Sequence, residues 1–287
     1  METIGTNVLW SFLDGSVAAE KAKCTAVRNG RGHFVNSYME LAKKIAELQF
    51  RNQEHILLFR GQNSDYLNQQ GNSKLKPTLF RPKGKKGNPT AGTLTSRFEH
   101  LAKAEIALVD HYKDVGFLGL ERLQRHRILR WSILQHYEIC KTPLLDITQS
   151  LHIASSFASM EASDEAYIFV LGVPNLSGGI TASAESGVQV IRLASVCPPD
   201  AVRPHIQEGY LLGEYPDMSA ISQKEHYFHY EIDFGRRLVA KFRFDPKVFW
   251  KNDVFQPIDS SALYPSASHD KMQVLADMIK HEIGTVT

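Results

Sequence analysis

The chain has 287 residues, 43% of them hydrophobic and 22% charged, a composition that excludes extended disorder and low-complexity repeats. Lys and Arg number 33 against 31 Asp and Glu, so the formal charge of +2 names no partner by itself. No apolar run approaches the ~20 residues of a membrane helix.

The opening METIGTNVLW lacks a basic region followed by an apolar core, so no secretory leader is expected. Cys24, Cys140 and Cys197 are odd in number and far apart, which suggests neither a disulfide framework nor a zinc pattern. The expected location is therefore cytoplasmic.

In chain order, residues 1–35 show weak periodicity and include Asn29-Gly30-Arg31-Gly32. They are expected to form an N-terminal extension to a single domain over 36–287. Ser37 and Glu40 form a capping box ahead of Leu41, Ile45 and Leu48, which predicts a helix. His55 to Arg60 is a short apolar run stopped by Gly61, and it reads as a buried strand. Gln62 to Thr95 reads as a long polar loop.

Ser96 and Glu99 make a second capping box before Leu101, Leu108 and Tyr112, a helix ending near Gly116. A third helix is expected over Glu121–Tyr137, then a buried segment Leu144–Thr148 after Pro143. Ser150 is placed to cap a helix carrying Ala154 and Phe157. Beyond Asp164, strands are expected at 167–173, 188–193, 205–212 and 237–244, with a final helix over 269–283. Helices fill the first half and strands the second, with one early strand. That order predicts an α+β fold in which the early strand joins a sheet built from the second half.

Charge is unevenly spread. No acid lies between Tyr66 and Phe98, while Lys74, Lys76, Arg81, Lys83, Lys85, Lys86 and Arg97 do. Arg122, Arg125, Arg127 and Arg130 form a second basic group. Such surplus attracts the phosphates of a nucleotide or nucleic acid, or else is a solvated loop and helix face. His226 and His229 lack a third ligand, so no metal is expected. Cys140 reads as a structural thiol.

Phe59-Arg60-Gly61-Gln62 puts a guanidinium fork at a strand end, with a glycine permitting close approach. Leu134-Gln135-His136-Tyr137 and Thr142-Pro143-Leu144-Leu145-Asp146-Ile147-Thr148 follow, and Asp146 inside an apolar run needs a partner such as Arg60. Together with Ala154–Ala158 and Gln207-Glu208-Gly209-Tyr210, these ordered blocks resemble the FRG domain, a family named for its Phe-Arg-Gly motif. The likeness runs from about Asn36 to Tyr215. It departs from the family pattern at Glu138, where glycine is usual, at Lys141, and at Ile147 in place of a common Trp.

The pattern is also similar to the arginine–serine–glutamate branch of the ADP-ribosyltransferase superfamily, which implies mixed sheets of that type behind a helical N-terminal half. The resemblance implies NAD as substrate. Arg60 would hold the pyrophosphate or nicotinamide ribose beside Gly61, Gln62 and Asp146, with Thr148 and Ser150 organising the pocket. His136 and Tyr137 would hydrogen-bond or stack, and Gln207 or Glu208 would stand on the ribose and acceptor side.

Gly209 occupies the position of the catalytic carboxylate. Either Gln207 holds the ribose alone, or a bulge turns Glu208 inward, or Glu214 or Glu185 substitutes, or transfer is lost. The resemblance further implies a toxin or defence effector with an inhibitory, antitoxin-like partner. Its RNA, DNA or protein acceptor would be drawn by the Lys74–Arg97 stretch. The rivals are a non-catalytic FRG module that binds a nucleotide or nucleic acid, and a purely structural Arg60–Asp146 pair.

Overall fold

The computed structural model describes residues 4–82, 88–225, 233–251 and 254–284. Its strands are β1 (Val8–Ser11), β2 (Glu20–Lys23), β3 (His33–Phe34), β4 (Ile56–Gln62), β5 (Leu145–Thr148), β6 (Ala166–Val173), β7 (Ile180–Ser183), β8 (Val188–Arg192), β9 (Gly209–Glu214) and β10 (Leu238–Phe244). Six helices matter below: α1 (Tyr38–Arg51), α2 (Ala91–Val115), α3 (Arg127–His136), α4 (Leu151–Ser159), α5 (Val202–Ile206) and α6 (Lys271–Ile283).

β1 and β2 pair as a hairpin, and the other eight strands form one sheet in the order β3-β10-β6-β4-β5-β9-β8-β7. The fold is α+β, and the early strand β4 does return to a sheet built from later strands. It pairs antiparallel with β6 along its whole length and with β5 at Phe59–Thr148. β5 in turn pairs antiparallel with β9 from Leu145–Leu212 to Thr148–Gly209.

Strand alternation divides the side chains between two cores. Leu58 of β4 and Phe169 and Leu171 of β6 face a core shared with α2, α3 and α6, where Leu101, Trp131, Leu134 and Leu275 are buried. Leu57, Phe59, Ile168 and Val170 face the opposite core with Leu41, Ile45 and Leu48 of α1 and Ala154 and Ala158 of α4. Covered on both faces, β6 is apolar throughout, as a central strand must be. Residues 4–35 pack into these layers: β3 extends the main sheet beside β10, and Phe12 and Val35 lie in the second core.

Helix ends follow local chemistry. Ser37 Oγ accepts from Glu40 N at 3.2 Å, while the Glu40 carboxylate accepts from Asn36 N at 2.9 Å. α2 begins at Ala91, not at the Ser96 capping box: Thr90 Oγ1 accepts from Thr93 N at 3.2 Å. It stops at Gly116, whose φ of +75° ends the helix. The expected helix over Glu121–Tyr137 is broken at His126, whose extended backbone separates Leu120–Arg125 from α3.

The expected strand 205–212 starts only at Gly209, because Val202–Ile206 is one helical turn and Gln207 continues in helical conformation. The strands β1, β2 and β7 are four residues each, too short for a periodic pattern to announce them. Among the described residues, no helix is long and apolar enough to cross a membrane.

Candidate functional site

A cleft of about 580 Å³ opens where the ends of β4, β5 and β9 meet. Arg60 reaches it because alternation on β4 sends Leu58, Arg60 and Gln62 to one face and Phe59 and Gly61 to the other. A Cβ on Gly61 would stand 1.8 Å from the Ala154 carbonyl and 2.8 Å from Ala158 N. The glycine of the Arg-Gly pair therefore seats α4 against β4, rather than admitting a ligand.

Arg60 Nη1 donates to the backbone carbonyl of Asp146 at 2.5 Å, so the expected Arg60–Asp146 contact exists but does not use the carboxylate. That carboxylate accepts from Gln135 Nε2 at 2.7 Å and lies 3.5 Å from His136 Nδ1. Burial opposes ionisation of Asp146, yet the hydrogen bond from His136, with the Arg60 charge and the Gln135 amide, holds it below the usual carboxylate range. Burial likewise lowers His136, against the pull of Asp146, so the ring is neutral at pH 7. Burial and the neighbouring Arg81 bring Arg60 down to about 10, which leaves it charged.

Two more guanidiniums line the cleft. Arg81 is anchored through Nε to the Lys76 carbonyl at 2.9 Å. Arg203 is buried, 4.5 Å from the Tyr264 ring centroid and 5.6 Å from that of Tyr137, with Nη2 3.0 Å from Glu138 Oε1. Tyr264 meets Phe157 of α4 edge-on at 5.8 Å, and both line the cleft.

Four buried polar atoms of cleft residues have no hydrogen-bond partner: Arg60 Nε, Gln62 Oε1, His136 Nε2 and Arg203 Nε. Two are donors and one an acceptor, and the His136 nitrogen accepts when Nδ1 carries the proton toward Asp146. Buried polar atoms are nearly always paired, so four around one cleft mark a place built for a polar ligand.

Other expected site residues lie elsewhere or act differently. Tyr137 is fully buried, and its hydroxyl donates to Asp270 Oδ2 at 2.9 Å, in the core under α6. Ser150 caps α4, accepting from Ile153 N at 3.4 Å, and does not line the cleft. Thr148 does line it, but its hydroxyl donates to the Gln207 and Glu208 carbonyls at 2.9 and 3.1 Å. That bond fixes the turn before β9.

Gln207 lines the cleft while its amide donates to the Leu263 carbonyl at 2.7 Å. Glu208, at φ +43°, is exposed and outside the cleft. Because the strand begins at Gly209, Gln207 and Glu208 lie in the turn before it and not on the strand expected over 205–212. A Cβ at Gly209 would lie 2.9 Å from Leu193 Cδ1 and 3.1 Å from His136 Cε1, so a larger residue there would have to shift the Leu193 side chain and press on the imidazole. Glu185 and Glu214 do not line the cleft either.

Among the described residues of the basic stretch, Lys76, Arg81 and Arg97 are tied into the fold. Arg97 is buried and donates to the Leu79 and Arg81 carbonyls at 2.6 and 2.7 Å. Lys76 is buried with Nζ 2.9 Å from Asn88 Oδ1. Lys83, Lys85 and Lys86 lie outside the described residues. In the second basic group, Arg130 binds Glu105 Oε2 at 2.8 Å and the Leu123 carbonyl at the same distance.

The cysteines are free, and desolvation raises Cys140 and Cys197 to about 12 and Cys24 to about 11, as suits inert thiols. Among the described residues no three or more His, Cys, Asp or Glu side chains cluster to hold a metal, and His226 and His229 lie outside them.

Sequence reasoning missed Arg81, Gln135, Arg203 and Tyr264. Gln135 stood one residue from the chosen His136, but nothing in the sequence ties Arg203 or Tyr264 to the Arg60 strand.

Residues 55–166 match the FRG domain family, so the chain carries an FRG domain there. The match covers β4, α3, β5 and α4 with Arg60, His136 and Asp146, and it stops before Arg203, Gln207 and Tyr264. No curated protein and no solved structure matches the chain.

Proposed function

We propose that this FRG-domain protein binds a dinucleotide of the NAD type in the cleft and transfers its ADP-ribosyl group to an acceptor. The observation that carries the reading is the set of unpartnered buried atoms among three guanidiniums. Arg60 and Arg203 offer N–H groups to phosphate oxygens, while Gln62 and His136 offer acceptors to ribose hydroxyls. Phe157 and Tyr264 supply apolar and ring surface for a base.

The strand order supports the same reading. The three segments that the resemblance assigns to one site, carrying Arg60, Thr148 and Gly209, are the neighbours β4, β5 and β9. Nothing in the sequence spacing required that adjacency.

Nicotinamide departs when its bond to C1′ of the ribose breaks, and positive charge then develops on the sugar. A fixed negative group near that carbon speeds the step, and guanidiniums on the pyrophosphate hold the reacting bond in place. Asp146 serves as an internal brace: Gln135 and His136 hold its carboxylate, and its carbonyl orients Arg60.

A second reading has one observation in its favour. Gly209 brings no carboxylate to the place where the resemblance expects one, which suits a module that binds the nucleotide without turning it over. Incubation with NAD carrying label in both halves separates the two. Transfer releases free nicotinamide and leaves ADP-ribose on an acceptor in cell lysate, and Arg60→Ala abolishes both signals. Binding without release selects the module. No binding by the folded protein refutes both.

A further inference from the structure

We propose that Glu138 supplies the carboxylate for nicotinamide cleavage that position 209 lacks; the inference rests on the NAD reading above. Glu138 lines the cleft with its side chain 65% exposed, so it is open to a ligand. It sits just past the C-terminus of α3 in a Schellman arrangement: Glu138 N donates to the Gln135 carbonyl at 3.0 Å, and Ile139 N to that of Leu134 at 2.8 Å. The residue at that place needs a left-handed backbone, here φ +53°, which favours glycine. A glutamate there strains the fold, and strain of this kind persists where other interactions over-determine it, most often at functional sites.

The carboxylate is also positioned. Arg203 Nη2 holds Oε1 at 3.0 Å, and Arg203 is itself buried, stacked on Tyr264 and Tyr137 and tied through its backbone N to Asp270 at 2.9 Å. A charge held in place before reaction costs no reorganisation when the sugar becomes cationic.

The other cleft carboxylates fit the role less well. Asp146 is held by Gln135 and His136 and braces Arg60. Glu161, also left-handed at φ +58° and lining the cleft, has no ion pair that holds it among the described residues.

In the step assigned to Glu138, the C1′–N bond breaks heterolytically and its electron pair leaves with neutral nicotinamide. The Glu138 carboxylate stabilises the oxocarbenium-like carbon. A lone pair of the nucleophile, water when no acceptor is present, then forms the new C1′–O bond, and its proton passes to solvent. No oxidant or reductant is required.

The test pairs Glu138→Gln, which keeps size and strain but removes charge, with Glu138→Gly, which removes charge and strain together. Nicotinamide release from NAD is measured alongside NAD affinity and melting temperature. Both variants are expected to lose release by ~100-fold or more while binding NAD within about threefold of wild type. Glu138→Gly is expected to melt about 2–4 °C higher.

Release within about threefold of wild type in either variant would overturn the assignment and leave the NAD reading standing. So would an equal loss in Glu161→Gln. A wild-type protein that binds NAD without releasing nicotinamide overturns the assignment together with the transfer reading and selects the module, and one that does not bind NAD overturns NAD binding as well.

Discussion

Gly61→Ala is expected to be the most damaging single-methyl change available near the site. The new Cβ would stand 1.8 Å from the Ala154 carbonyl and 2.8 Å from Ala158 N, both backbone atoms of a packed helix. No rotamer change relieves the clash, so α4 must retreat by ~1.5 Å to restore normal contact. Ala154 and Ala158 are fully buried, and Phe59 and Phe242 share their core, so a retreat opens voids on that side. Overpacking of this kind costs ~1–3 kcal/mol where side chains can give way. With backbone on both sides, we expect ~3 kcal/mol or more.

Gly92, in the first turn of α2, is the control. A Cβ there meets nothing within 4 Å, and the alanine is expected to be neutral or to stabilise by up to ~1 kcal/mol. Urea denaturation of both variants against wild type measures the contrast. Since α4 also carries Phe157 into the cleft, Gly61→Ala should weaken NAD binding at temperatures where it remains folded. A Gly61→Ala protein within ~0.5 kcal/mol of wild type would refute the claim that this glycine seats the helix.

Tyr137→Phe is expected to cost ~1–2 kcal/mol through the lost hydrogen bond to Asp270, with the NAD-induced rise in melting temperature unchanged. Loss of that rise would put Tyr137 back in the site. Gly209→Glu should not create activity. Its side chain would displace Leu193 and His136, and a lower melting temperature without faster nicotinamide release is the expected result.

Burial holds His33, His55, His100 and His136 below the ordinary imidazole value, so each is neutral in the fold over a range in which the unfolded chain is protonated. Stability from these groups is full above pH ~6.5 and falls as pH drops below it. Melting temperatures from pH 7.5 to 5 should decline, and a flat profile would contradict the assignment. Asp146, held below its usual range, adds stability that is lost only at lower pH, as the solution falls through its depressed pKa.

Much of the scaffold could be read from local chemistry. The apolar run ending at Arg60-Gly61 is a central strand, the Ser37 and Ser150 caps are in place, and Gly116 ends α2. The capping box at Ser96 misled because Thr90 makes the same bond six residues earlier, in a stretch with no apolar period. The strand beginning at His205 misled because a five-residue helix is too short to show periodicity.

At the site, the motif residues Arg60, His136 and Asp146 do converge. His136 and Tyr137 do not share the cleft, since neighbours at a helix end point in different directions. Gly61 was visible as a demand for close approach, but the sequence does not say what approaches. Arg203 and Tyr264 come from segments 143 and 204 positions beyond Arg60, and only the sheet order and the return of the C-terminal segment bring them to it.

The central claim is that the cleft around Arg60, Arg81 and Arg203 takes an NAD-type dinucleotide. Calorimetric titration of NAD into the wild-type protein and the Arg60→Ala variant, both shown to be folded, tests it most directly. Saturable binding is expected for wild type, weakened at least ~10-fold, about 1.4 kcal/mol, in the variant. No binding by wild type at millimolar NAD, or equal affinity in the two proteins, would contradict it.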